Sequence, residues 1–412
     1  MSDLSARWGV VAVFAVVYLG MFLGGLPRLR LDRSGVAVLG AIAVIALTGM
    51  PLEDAARAVD LPTIVLLFAF MVISAQMRMG GFYAEVTRLV GVLPLSRGGL
   101  LAVLIGVAGA LSAVFSNDII CLAMTPMVVR LCLRKGFDPV PFLLGLCCAA
   151  NIGSAATLIG NPQNMLIGSV LQLPFGGYAR AALLPVGISL LLLWLWLVAG
   201  PGAGGRRDLA LAPSEETTPS GDPAFDRWQT LKGLTVALVL MAVFLFSGWD
   251  RDVAALVGAG VLLLSRRLHS ADVMGLVDWP LLLLFVGLFV VNHAFAQTGL
   301  AAQAVTWLAA HDIRVSDPGS LLLAGTLLSN LVSNVPAVML LLPHLGLDPV
   351  RAGTQLALVS TFAGNLLLVG SIANLIVSDL AAKEGVRLDW RLHARTGIPV
   401  TLASLAVVWL LV

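Results

Sequence analysis

Apolar stretches close to the length that crosses a bilayer recur from one end of this chain to the other, and they limit it to very few folds. A spanning helix needs about 20 apolar residues, and runs of that order lie near 8–25, 34–50, 62–77, 139–171, 180–199, 232–248, 253–265, 279–296, 352–378 and 396–412. Only 12% of the 412 residues are charged and 59% are hydrophobic, so a soluble domain is excluded. No strand-length alternation runs through the apolar stretches. The class is therefore all-α polytopic, because a spanning chain must satisfy its backbone within helices or within a closed barrel. The net charge of +2 carries no nucleic-acid signal.

Two further apolar segments, 98–130 and 319–343, each contain a polar cluster. Ser112-Ala-Val-Phe-Ser116-Asn117 returns 217 residues later as Ser329-Asn-Leu-Val-Ser333-Asn334. Polar groups at membrane depth are costly, so such a cluster marks a functional site. The duplication goes further. At a spacing of 218, Leu31-Asp32-Arg33 matches Trp249-Asp250-Arg251 and Asp60-Leu-Pro62 matches Asp278-Trp-Pro280. At 210, Gly160-Asn-Pro-Gln-Asn164 matches Gly370-Ser-Ile-Ala-Asn374. The polar stretch 200–231, rich in Pro, Gly and Ser, divides two halves, 1–199 and 232–412, as a cytoplasmic linker.

Basic residues orient the chain. Loops near 26–33, 78–97, 130–138, 200–232, 264–277 and 379–397 hold nineteen of the 25 Lys and Arg, which makes that side cytoplasmic. Segment 98–130 then has cytoplasmic residues at both ends and reads as a re-entrant hairpin, with one tilted span as the alternative. Five spans per half invert the second half, so hairpin 319–343 enters from the other face. The expected fold is two inverted-topology repeats of five spans, each with one re-entrant hairpin and one broken helix (139–171 and 352–378), the plan of many secondary transporters.

Asn117 and Asn334 are expected as N-caps of the second hairpin arms, and Asn161 and Ser371 as caps after breaks at Gly160 and Gly370. Four helix N-termini would face inward and favour an anion or an oxygen-rich solute. Candidate substrate-binding residues are Asn117, Asp118, Asn161, Asn164, Ser333, Asn334, Ser371 and Asn374. Candidate ion-coupling residues are Ser112, Ser116, Asn117, Asp118, Gly160, Ser329, Asn334 and Gly370. Carbonyls left free at the breaks, with the oxygens of Ser112, Ser116 and Asn117, suit a cation such as sodium. The alternative for these Ser and Asn residues is hydrogen bonding that only glues helices.

Asp118, matched by Val335, breaks the duplication. Burial disfavours its charged form and a helix N-terminus favours it, so its charge can follow occupancy. That points to proton coupling or ion sensing, against a plain capping role. His293, in span 279–296, reads as a packed residue rather than a proton carrier. Cys121, Cys132, Cys147 and Cys148 lack metal-ligand spacing and fit helix contacts. Residues 81–93, with Glu85 and Arg88, read as an interfacial amphipathic helix. No cleavable signal peptide, Walker A sequence or enzymatic constellation is expected, and no cofactor beyond a coupling ion, H+ or Na+.

With Phe115-Ser-Asn-Asp118, Thr125-Pro126, Gly160-Asn-Pro-Gln-Asn164, Val332-Ser-Asn-Val-Pro336 and Gly370-Ser-Ile-Ala-Asn374 in view, the chain resembles the ion transporter superfamily. Within it the chain is most similar to the arsenite/antimonite permease (ArsB), P-protein and citrate-transporter-like anion permease branch. The resemblance covers nearly the whole chain. It implies a secondary active transporter of the inner membrane that moves a small solute by alternating access, as a homodimer. It would place sodium at Ser112, Ser116, Asn117 and the Gly160 carbonyl, and at Ser329, Asn334 and the Gly370 carbonyl. Substrate would lie between Asn117, Asn334, Asn161 and Ser371. Sodium/dicarboxylate relatives carry Thr where Asp118 and Val335 stand, and Asp118 would repel a dianion. An Asn-Asp tip resembles arsenite permeases, so arsenite or antimonite efflux by proton antiport is the leading expectation. Sodium-coupled symport of a small inorganic or organic anion, sodium/proton antiport and a channel are the alternatives.

Overall fold

The computed structural model describes residues 3–26, 29–199, 225–311, 314, 317–346 and 348–412. Among the described residues each half contributes ten α-helices in matching order. The first half holds α1 (Asp3–Leu23), α2 (Arg33–Thr48), α3 (Leu52–Arg57), α4 (Leu61–Met79), α5 (Phe82–Val92), α6 (Arg97–Phe115), α7 (Asn117–Arg134), α8 (Pro139–Ser154), α9 (Pro162–Val170) and α10 (Phe175–Ala199). The second holds α11 (Arg227–Phe246), α12 (Arg251–Leu263), α13 (Ser270–Met274), α14 (Trp279–Gln297), α15 (Leu300–Ala310), α16 (Pro318–Val332), α17 (Asn334–Leu341), α18 (Pro349–Ala363), α19 (Ile372–Lys383) and α20 (Trp390–Leu411). Seven helices among the described residues are long and apolar enough to cross a membrane. Most of the expected linker, 200–224, lies outside the described residues; Arg227 already begins α11, capped by Asp226.

Asp caps set many of the starts. Asp32, Asp60, Asp138, Asp278, Asp348 and Asp389 each accept a backbone N–H from the first turn of the helix that follows. Several spans start earlier than their apolar runs, α10, α11 and α20 among them. Asp389 extends α20 back to Trp390. The first turns of α10 are held by the Tyr178 hydroxyl, which donates to the Ala155 carbonyl at 2.7 Å, so α10 starts at Phe175.

Contacts between elements give their directions. Leu101 touches Gly145, Gly109 touches Gly153, and Thr157 donates to the Ala113 carbonyl, so α6 runs parallel to α8. Asn117 at the start of α7 meets Asn151, while Phe137 just beyond its end stacks on Phe142. Thus α7 runs against α8, and the chain reverses at Ser116 into a hairpin. In the second half Gln355 donates to the Pro318 carbonyl and Asn330 to the Ala363 carbonyl, so α16 parallels α18. Asn334 sits beside Gly364, and the chain must then return to Pro349, which makes α16 and α17 the second hairpin.

The two broken elements run in opposite directions. Ile167 of α9 lies by Gly353 of α18, while Asn161 before α9 meets Thr361 near the other end of α18. Arg130 of α7 pairs with Glu384 just past α19 at 3.8 Å. The halves also exchange neighbours. α2 packs on α14 and α4 on α12, so α2 lies against the counterpart of α4 and α4 against the counterpart of α2.

The tightest helix contact is between α6 and α8, where a Cβ on Gly153 would fall 2.3 Å from the Gly109 Cα. Overpacking of this kind costs about 1–3 kcal/mol. Gly153→Ala is therefore expected to lower the thermal unfolding midpoint in detergent. Gly106→Ala, whose added carbon meets nothing within 4 Å, is expected to leave it unchanged, and equal behaviour of the two would contradict this packing.

Candidate functional site

Both hairpins turn on a serine with left-handed φ, Ser116 (φ 71°) and Ser333 (φ 79°). A non-glycine residue in this region carries strain of order 1–3 kcal/mol and persists only where its surroundings hold it. The expected caps shift by one residue. Ser116 and Ser333 occupy the N-cap positions, with no side-chain cap bond, and Asn117 and Asn334 are the first helical residues. At Asn117 the side chain is turned to Asn151, with Nδ2 donating to Asn151 Oδ1 at 2.9 Å, while its Oδ1 caps nothing and stays without a partner. The other two caps stand where expected. Asn161 Oδ1 accepts the Asn164 N–H at 2.9 Å and Ser371 Oγ accepts the Ala373 N–H at 3.2 Å.

The two tips and the two breaks meet around one cleft of about 40 Å³. Its walls include Asn117 and Asp118 from the first tip, and Ser333, Asn334, Val335 and Pro336 from the second. Pro162 and Gln163 come from the first break, Ser371 and Ile372 from the second, and Met21, Arg33, Leu281 and Leu284 complete the lining. Of the candidate substrate residues, Asn117, Asp118, Ser333, Asn334 and Ser371 are thus brought together. Asn161, Asn164 and Asn374 are not on the cleft wall; they are fully buried behind it. Asn161 donates to Ser154 Oγ, Asn164 to the Thr157 carbonyl and the Tyr178 hydroxyl, and Asn374 to the Gly364 and Leu367 carbonyls. These asparagines hold the breaks open by satisfying backbone that the broken helices leave free.

Asp118 has neither a hydrogen-bond nor an ion-pair partner among the described residues, and the Nε of Arg33 is buried without one. Arg33 was not apparent as a site residue from the sequence. Its counterpart Arg251 does something else, donating to the Gly168 carbonyl at 2.8 Å.

Behind each tip lies a set of oxygens with no donor. Ser112 Oγ and Asn117 Oδ1 are buried and unpartnered, as are Ser329 Oγ, Asn330 Oδ1 and Asn334 Oδ1. Gly160 presses into the first set: an added Cβ would lie 2.2 Å from the Ser154 carbonyl oxygen and 2.8 Å from that of Ser112. The Gly160 carbonyl itself accepts the Asn117 backbone N–H at 3.3 Å. Gly370 abuts Asn330 Oδ1 in the same manner. Buried acceptors are almost always satisfied in folded proteins. Five orphans in two matched places, all acceptors of the hard oxygen type, have the chemistry to receive a small cation or a proton-bearing group. Asn330 is peculiar to the second set, since Ala113 stands at its counterpart.

Residues elsewhere behave as packing. Asn292 accepts from the Tyr18 hydroxyl at 2.8 Å, and His293 bonds Gln297. All four cysteines are buried and free, and no cluster of His, Cys, Asp and Glu suited to a metal occurs among the described residues.

The family model for citrate transporters (CitMHS) matches residues 17–346. The silicon efflux transporter LSI3 of Oryza sativa subsp. japonica is 30% identical, over 96% of this chain and 95% of its own. The inner membrane protein YbiR of Escherichia coli (strain K12) is 30% identical over 86% and 88% of the two chains. The putative transporter arsB of Dictyostelium discoideum is 22% identical over 92% and 87%. Among solved structures, the Alcanivorax borkumensis YdaH transporter superposes with a TM-score of 0.62, covering 99% of this chain and 96% of that one at 14% identity, which speaks to the fold alone. The chain is thus a multi-pass inner-membrane transporter, not an enzyme, and it belongs to the citrate transporter (CitMHS) family within the ion transporter superfamily.

Proposed function

We propose that this transporter exports a small hydroxylated oxyacid, arsenite or antimonite first, in exchange for protons. The observation that carries the reading is the unpaired Asp118 carboxylate in a cleft of about 40 Å³ walled by both hairpin tips. One water-sized probe needs about 10–15 Å³, so the cleft takes about three such particles. A cleft this small favours a compact solute over an extended tricarboxylate. Arg33 and Asp118 both line the cleft without pairing, so its formal charges sum to zero, which suits an uncharged solute better than a dianion. Amide and hydroxyl groups of Asn117, Ser333, Asn334 and Ser371 offer both donors and acceptors to its hydroxyls.

In this reading the hairpins are re-entrant, and Asp118 carries the proton in one direction when the solute leaves in the other. The relatives' names are compatible: one speaks of silicon efflux and another is a putative transporter arsB. A second reading is sodium-coupled symport of a small anion. It draws on the orphan oxygens at Ser112, Asn117, Ser329 and Asn334, which would ligate sodium together with carbonyls near Gly160 and Gly370. A sodium/proton antiporter is the third.

Everted membrane vesicles under an inside-acid gradient are expected to accumulate arsenite, and Asp118→Asn is expected to abolish that accumulation, a loss of at least about tenfold (roughly 1.4 kcal/mol). Accumulation that follows sodium instead selects the symporter, and sodium-driven proton movement with no solute flux selects the antiporter.

The orphan oxygens give a separate expectation. Removing a buried unsatisfied hydroxyl relieves a desolvation cost of about 1–3 kcal/mol. Ser112→Ala and Ser329→Ala should therefore leave the thermal midpoint in detergent unchanged or raised while ion-coupled uptake collapses. A lowered midpoint with normal coupling would assign both hydroxyls to structure.

A further inference from the structure

Asn151, in the middle of the broken first-half element, was not a candidate on sequence grounds, yet its carboxamide makes four side-chain bonds at 1% exposure. Nδ2 donates to Asn365 Oδ1 at 2.8 Å and Asn374 Oδ1 at 3.0 Å. Oδ1 accepts from Asn117 Nδ2 at 2.9 Å and Ser371 Oγ at 3.0 Å. A carboxamide has two donors and two acceptor lone pairs, so Asn151 is saturated and its orientation is set by four independent partners. Three partners belong to the second half. The fourth is the first hairpin tip.

The 210-residue spacing that relates the two breaks pairs Asn151 with Thr361, Asn161 with Ser371 and Asn164 with Asn374. Thr361 makes the inverse set of bonds: it accepts from Asn161 at 3.3 Å and Gln163 at 3.1 Å, and lies 3.4 Å from Asn164 Oδ1. Each half thus places one side chain across the boundary onto the opposite break. The two latches are unequal. The Asn151 bonds are 2.8–3.0 Å and include a hairpin tip; the Thr361 bonds are 3.1–3.4 Å and include none.

We propose that Asn151 is the positioning residue that joins occupancy of the first tip to the geometry of the second break. By holding Asn117 through Nδ2, it leaves Asn117 Oδ1 as an open ligand behind the tip. By holding Ser371 and Asn374, it fixes the helix N-terminus that lines the cleft. An ion or proton that draws on Asn117 therefore moves Asn151, and through it the cleft wall supplied by the other half. Thr361 stabilises the opposite break without reporting on a tip. The proposal rests on the reading of the tips as the coupling site, but not on the identity of the solute.

Hydrogen–deuterium exchange of the full-length transporter in detergent, titrated with sodium and separately with pH, tests it. In the wild type, peptides covering 112–120 and 366–376 are expected to change protection with a single shared midpoint in at least one titration. Asn151→Leu, which removes all four bonds at similar volume, is expected to separate the two midpoints at least threefold in ion concentration. Thr361→Val is expected to leave them joined. Where the Leu variant does not fold, Asn151→Asp, which loses only the two donor bonds, is expected to separate them by a smaller but measurable factor. A shared midpoint in the folded Asn151 variant, an equal separation in Thr361→Val, or no ion response in the wild type overturns the proposal. Arsenite flux is measured in parallel; its absence alongside a joint wild-type response fails the solute assignment alone.

Discussion

Inside hydrocarbon a free amide or carbonyl has no water to bond, and that one constraint organises this molecule. Breaking a helix at membrane depth exposes several such groups at once. The chain meets the cost with asparagine: Asn161, Asn164 and Asn374 each satisfy backbone or polar side chains beside the break. Against that background of completed bonds, the acceptors left open stand out. They lie at matched positions behind two strained serine turns, and next to a carboxylate without a partner.

Duplication supplies the frame, and departures from it supply the chemistry. The halves share helix order, hairpins, breaks and exchanged neighbours, so a cleft formed between them is lined by equivalent elements. A strictly symmetric site would treat both faces alike and would have no internal way to link an ion to a solute at one end. Asp118 against Val335, Ala113 against Asn330 and Asn151 against Thr361, with the different surroundings of Arg33 and Arg251, are the departures. Symmetry makes the frame, and its local failures cluster at the cleft.

Much of this was legible in the amino-acid order, for identifiable reasons. Span length, the Ser-Asn repeat, the breaks at Gly160 and Gly370 and the odd carboxylate are local signals, readable wherever they fall in a fold. Charge placement suggests a turn inside each of 98–130 and 319–343, and helix breaks stand at Ser116 and Ser333. What could not be read depends on contacts between distant segments. Asn151 looks like one more small polar residue until Asn365, Asn374 and Ser371 arrive from 214 to 223 residues away. Arg33 looked like loop charge until its partner-free Nε appeared beside the cleft. The one-residue shift of the first cap belongs with these, because the Asn117 side chain is oriented by Asn151, which is set by residues of the other half.

The exchange of neighbours bears on how such a chain is made. α2 needs α14, α4 needs α12, and Asn151 needs three side chains that the ribosome has not yet produced when the first half is complete. During synthesis the first half therefore sits in the lipid with its inner faces and central amides unmatched for the time taken to translate about two hundred further residues (some ten to forty seconds at 5–20 residues per second). Contacts shared in this way leave each half, by itself, without its full set of partners. Assembly of this transporter is consequently a late, all-at-once event, and the interval before it is when insertion machinery or premature degradation has its opportunity.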